Sequence, residues 1–187
     1  MPDGRFSRGC FDRITILFHW LSVILVGFLL ASGWSFVFVE GTRFFSLLLM
    51  LHRSAGVLVW SVTIARFLWR GSGARFPPFP ENLPRLMEGT AKASEYALYA
   101  LLVLQPLTGL AHSLLRGRAF DLLGVGVPAL LPHLLDMSEI FHELHEWGAW
   151  ALAVTVGLHA SAALFHHIVL KDDVLESMLP AVKRRSL

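Results

Sequence analysis

Four stretches of the chain are apolar on every helical face, and the polar positions gather mainly between them. They are ITILFHWLSVILVGFLLASGW (14–34), FFSLLLMLHRSAGVLVWSVTIARFLW (44–69), SEYALYALLVLQPLTGLAHSLL (94–115) and WGAWALAVTVGLHASAALFHHIVL (147–170). A helix needs roughly 20 mostly apolar residues to cross a bilayer, and a helix lying on a soluble core would show one apolar stripe rather than an apolar surface all round. The pattern therefore predicts an all-α integral membrane protein, a single membrane domain over 1–187 built as a four-helix bundle, with a long outer loop at 116–146. The segment 76–84, FPPFPENLP, reads as a connector that cannot be helical. Pro106 should kink the third helix.

The charges between the spans set a direction. With the N-terminus inside, the inner segments hold Arg5, Arg8, Arg13, Arg70, Arg75, Arg85, Lys92, Lys171, Lys183, Arg184 and Arg185, and the outer loops hold Arg43, Arg116 and Arg118. Positive charge stays inside, so both termini are predicted to be cytoplasmic. The first apolar run exceeds the 7–15 residues of a cleavable signal, and it is expected to remain. The carboxylates Asp121, Asp136, Glu139, Glu143 and Glu146 fall on the outer side. Trp20, Trp34, Trp69, Trp147 and Trp150 lie near span ends, as interface anchors do.

Composition narrows the function. Of 187 residues, 55% are hydrophobic and 16% charged, against about 25% charged in soluble domains. Fourteen Phe and six Trp exclude a disordered chain, and a net charge of +2 makes no face for nucleic acid. One cysteine, Cys10, cannot form an internal disulfide, and no Cys-x-x-Cys-His segment is present, so any haem would be held non-covalently. Against these scarcities stand nine histidines, several inside apolar runs where an ionisable ring is costly.

Sorting the histidines by helix and depth suggests chemistry. His52 and His145 fall toward the outer side, His19 and His159 toward the inner side. His145 and His159 are 14 residues apart, close to four turns, so they share a face about 21 Å apart along the axis. Two histidines on facing helices at one depth can bind a haem iron from both sides, and bundle interiors are where such sites are built. Depth pairs His52 with His145 and His19 with His159. Gly56, Gly27 and Gly148 lie near these residues and could leave room for a porphyrin. Arg66, 14 residues after His52, would sit at inner depth on the same face and meet a haem propionate. Arg43 and Arg53 could serve the outer site, although Arg53 points about 100° away from His52 and could instead snorkel.

Each histidine has a plainer alternative as a hydrogen-bonded packing residue. Zinc is disfavoured because clustered ligands are missing, and His166 and His167 point to different faces. His166, seven residues after His159, could replace it as inner ligand, or could give a proton or hydrogen bond to a quinone; the second reading is preferred. His112, His133 and His142 are expected to be interfacial or solvated. The third helix, without a central histidine, should wall the bundle.

The segments FDRITILFHW, LHRSAG, ARFLWR, LHEWGAW, GLHASAALFHH and KDD, spread over almost the whole chain, resemble the bacterial cytochrome b561 family and, within it, the small four-helix di-haem superoxide oxidases. The resemblance implies axial ligation by His19, His52, His145 and His159, two non-covalent b-type haems, electrons taken from superoxide outside, and ubiquinone reduced in the membrane beside His166. Arg43, Arg53, Arg116 and Arg118 could steer superoxide, against the outer carboxylates. No obligate protein partner is expected. Two other readings stand beside this one: a membrane anchor that passes electrons from a dehydrogenase or hydrogenase to quinone, and a small transporter or assembly factor whose histidines relay protons.

Overall fold

The computed structural model describes residues 11–74 and 85–179. Arg5, Arg8, Cys10, Arg75, the 76–84 connector, Lys183, Arg184 and Arg185 lie outside the described residues. The chain forms α1 (Arg13–Val39), α2 (Phe44–Ser72), α3 (Arg85–Leu115), a hairpin of β1 (Phe120–Leu122) and β2 (Val125–Val127), and α4 (Leu135–Phe165). A π-helical turn (His166–Leu170) and a 3-10 turn (Glu176–Met178) follow α4. All four long helices are apolar and long enough to cross a membrane.

The helices run up and down, with α1 against α2, α2 against α3 and α3 against α4. One end of the bundle therefore carries the start of α1 and the end of α4, here the termini end. The other carries the β-hairpin. Val26, Val59, Leu102 and Leu152, one from each helix, meet in the middle. Few other apolar side chains are buried. Leu17, Phe38, Leu104, Trp147 and Leu158 are each more than half exposed, an apolar mantle that suits lipid and would be costly in water.

Between the helices the contacts are instead small and polar: Ser22, Ser32, Thr63, Gln105 and Ser138 are all buried. Small residues let helices approach closely where lipid provides no hydrophobic drive for association. Most serines and threonines satisfy themselves locally, as Ser22 does on the Phe18 carbonyl and Thr63 on that of Val59.

Helix boundaries extend past the apolar stretches. Asp12 caps α1, accepting from the amides of Ile14 at 3.1 Å and Thr15 at 3.0 Å. The same carboxylate accepts the Trp69 indole at 3.0 Å, tying α1 to the end of α2. α3 starts at Arg85 rather than 94, its first turns carrying a Glu88–Lys92 pair one turn apart. α4 starts at Leu135 rather than 147, which corrects the expected loop of 116–146 to 116–134 and places His142 and His145 within the helix. Hydropathy marks only the lipid-embedded part of a helix, and both helices continue as polar ones beyond it. α3 remains helical through Pro106.

The loop itself is structured. β1 and β2 pair antiparallel around Leu123 and Gly124, both at positive φ (52° and 78°), the two-residue turn that matches strand twist. The Leu123 amide donates to Ser54 Oγ at 2.9 Å, pinning the turn onto α2. At the base, the Leu134 amide donates to the Leu115 carbonyl. Gly117, at φ +60°, passes so close that a Cβ would lie 2.6 Å from the backbone nitrogen of His133.

Candidate functional site

Toward the hairpin end, the rings of His52 (α2) and His145 (α4) face each other with centroids 6.2 Å apart. Each ring has one nitrogen engaged. His52 Nδ1 pairs with Ser32 Oγ of α1 at 2.8 Å, and His145 Nδ1 lies 3.0 Å from the Gln105 carbonyl of α3 and 3.2 Å from Thr108 Oγ1. Gln105 also donates its side-chain amide to the His145 carbonyl at 2.9 Å. Both rings are held by Nδ1, leaving Nε2 as the available ligand atom.

Glycines make this arrangement possible. A Cβ on Gly109 would stand 2.9 Å from His145 Cε1, and one on Gly33 3.5 Å from His52 Cε1. The glycines expected near the rings behave differently. Gly56 and Gly27 have open space where a Cβ would point. Gly148 faces the Gln105 amide, so its lack of a side chain admits that residue rather than a porphyrin.

Toward the termini end, His19 (α1) and His159 (α4) face each other at 6.3 Å. His145 and His159 lie on the one continuous helix α4, so the two levels are about 21 Å apart along the axis. Arg66, on α2, donates to Ser22 Oγ at 3.3 Å and lies 5.3 Å from the Tyr99 ring centroid. Among the described residues no carboxylate pairs with it.

The ring separations allow a test for haem. A metal–imidazole nitrogen bond is about 2 Å and the nitrogen lies about 1 Å from its ring centroid, so two rings either side of one iron have centroids about 6 Å apart. Both pairs meet that distance. Together with the engaged Nδ1 atoms of His52 and His145, the spacing of the facing rings fits the residues present to b-type haem. No group of three or more His, Cys, Asp or Glu among the described residues could hold a bare metal ion.

At the hairpin end, a cavity of about 340 Å³ opens between α2, the end of α3 and β1, with Arg53, the residue after His52, in its lining. Arg53, Arg116 and Arg118 line it with Ser113, Phe120 and Asp121. Arg53 does not snorkel: it donates to Ser113 Oγ at 3.2 Å and covers the Phe120 ring at 5.0 Å. Arg43 stands apart over Phe44. Of the five carboxylates expected on this side, Asp121 lines the cavity, and Asp136, Glu139, Glu143 and Glu146 project from exposed positions of α4.

At the termini end, His166 pairs through Nδ1 with Asp172 Oδ2 at 2.6 Å. His112 is not a loosely solvated ring: its Nδ1 lies 2.9 Å from the Ser138 carbonyl, and it stacks on His142 at 4.9 Å. His133 Nδ1 binds the Arg116 carbonyl at 2.7 Å within the loop. α3, expected only to wall the bundle, thus supplies Gln105, Thr108 and Gly109 to the setting of His145. Sequence reasoning missed these three, as well as Ser32 and Asp172. The available signal was a Gln-Pro pair and a threonine in mid-span.

Residues 10–181 match the family model described as prokaryotic cytochrome b561. The chain is 33% identical over 168 residues to cytochrome b561 homolog 2 of Escherichia coli (strain K12), covering 89% of each chain. It is 28% identical to cytochrome b561 homolog 1 of the same organism, covering 92% of this chain and 98% of the relative. It is 29% identical to the probable superoxide oxidase CybB of Yersinia pestis, covering 91% and 96%.

Proposed function

The chain belongs to the prokaryotic cytochrome b561 family of electron-transfer membrane proteins, and on that premise we propose that it is a di-haem superoxide:ubiquinone oxidoreductase of the bacterial inner membrane with both termini in the cytoplasm. The observation that carries this reading is the pair of facing histidine couples, His52 with His145 at 6.2 Å and His19 with His159 at 6.3 Å, stacked across the bundle. These four residues would hold two b-type haems, one at each level. Bound there, haem supplies one-electron carriage between the two faces of the membrane.

The protein's own groups do the rest. Ser32, Gln105 and Thr108 fix the ring orientations of His52 and His145. Arg66 provides a cation in the span for a propionate, and Gly56 leaves the space beside α2. On the outer side, Arg53, Arg116 and Arg118 draw the superoxide anion toward the cavity beside His52, the similarity to a probable superoxide oxidase being what favours this donor. On the inner side, His166 gives a proton to ubiquinone.

The test mixes purified protein with a superoxide source and ubiquinone. Reduced b-type bands, two haems per chain and quinol formation are expected. A pigment that superoxide leaves oxidised overturns the donor, and a colourless protein overturns the cytochrome. Fusion of a cytoplasm-active reporter to the C-terminus checks orientation, with activity expected there and none for a periplasm-active reporter.

A further inference from the structure

We propose that Asp172 is a positioning residue for proton delivery to quinone: it holds His166 with Nδ1 protonated and Nε2 turned over to proton exchange. The inference rests on the functional reading above and adds a second member to its quinone-side group.

The local backbone is built around this contact. α4 widens into the π-helical turn His166–Leu170, which ends at Lys171 in the left-handed region at φ 52°. A non-glycine residue is uncommon there and persists where the surroundings over-determine it. The reversal brings Asp172 back beneath the helix end. Its amide donates to the His166 carbonyl at 3.2 Å, and its Oδ2 accepts from His166 Nδ1 at 2.6 Å. Its Oδ1 accepts the Val174 amide at 3.1 Å. Both carboxylate oxygens are committed, so the side chain cannot swing to solvent without losing two hydrogen bonds. The side chains are only 18% and 16% exposed, which separates this pair from a solvated surface contact of little worth.

Such a carboxylate fixes one tautomer of the imidazole, with the proton on Nδ1 and Nε2 facing away from Asp172. Ubiquinone takes up two electrons, supplied by two superoxide ions that leave as dioxygen, and two protons. His166 passes its Nε2 proton to one quinone oxygen, water protonates the other, and the ring is reprotonated from water at the termini end. Asp172 touches no substrate.

The experiment follows reoxidation of the reduced holoprotein by a soluble ubiquinone analogue. In Asp172→Asn the maximal rate should fall about tenfold, with the half-saturating quinone concentration within about twofold of wild type. Asp172→Glu should recover part of the rate. Asp172→Asn combined with His166→Gln should be no slower than His166→Gln alone, as expected of residues acting as a unit. Haem content and Tm are measured on every variant, and unchanged values exclude a folding defect. A wild-type rate in Asp172→Asn, or multiplicative losses in the double variant, overturns the proposal. Wild-type protein whose haems quinone leaves reduced overturns the functional reading itself, a separate result.

Discussion

His145 shows how narrowly a candidate ligand ring can be set. Its Nδ1 meets the Gln105 carbonyl and Thr108 Oγ1, and its Cε1 edge lies where a Cβ on Gly109 would be, at 2.9 Å. A ring bonded on one side cannot yield on the other, so Gly109→Ala should displace it, at the 1–3 kcal/mol typical of overpacking. On the proposed di-haem reading, the expected outcome is loss of about one haem of two, counted by the pyridine haemochrome assay. Gly33→Ala, whose Cβ would meet His52 at an ordinary 3.5 Å, should keep both. Ser32→Ala removes the partner of His52 Nδ1 and should weaken haem retention about 10- to 100-fold, measured by transfer to apomyoglobin. The ligand candidates themselves were legible because an ionisable ring in an apolar run stands out. Ser32 and Thr108 were not, because hydroxyls in such runs usually bond their own preceding turn, as Ser22, Ser61 and Thr63 do here.

At the scale of elements, the four spans were legible from hydropathy, and the ends of α3 and α4 were not. The early turns of α4 carry Asp136, Glu139 and Glu143, and their helicity comes partly from contacts hydropathy cannot register, such as Ser138 beneath His112. The β-hairpin was illegible for a related reason: three-residue strands have too little pattern, and the turn depends on Ser54 from a distant helix. Two predictions follow from its anchoring. Ser54→Ala strips the Leu123 amide of its acceptor and should raise its hydrogen-exchange rate about fivefold, the worth of one net hydrogen bond of about 1 kcal/mol, with haem content unchanged. Gly117→Ala meets both a positive φ and the His133 backbone, and should lower Tm by several degrees, read by the loss of haem absorbance on heating.

Over the whole molecule, the two histidine levels span about 21 Å of a hydrocarbon layer roughly 30 Å thick, so on the proposed reading electrons would cross most of the layer without moving parts. The asymmetry between its ends then decides direction. The hairpin end gathers Arg53, Arg116 and Arg118 about one cavity, with the acidic residues of α4 outside that lining. Sequence placed cations and carboxylates in the same outer region and could not tell whether they cancel; in the fold Asp121 alone of the five carboxylates shares the lining with the three arginines, which leaves a local excess of positive charge. A monoanion approaching this cavity feels a local positive field although the chain's net charge is only +2. Such a field raises association rates tenfold or more at low salt, and falls away as the Debye length shrinks from about 30 Å at 0.01 M to about 3 Å at 1 M. Arg116→Gln with Arg118→Gln, both exposed positions, should therefore slow superoxide-driven haem reduction about tenfold at 0.01 M salt and by much less at 1 M. Wild-type rates should drop steeply over the same range. A neutral reductant should reduce both proteins equally at every ionic strength, and a superoxide rate indifferent to salt in the wild type would remove the arginines from the donor's path.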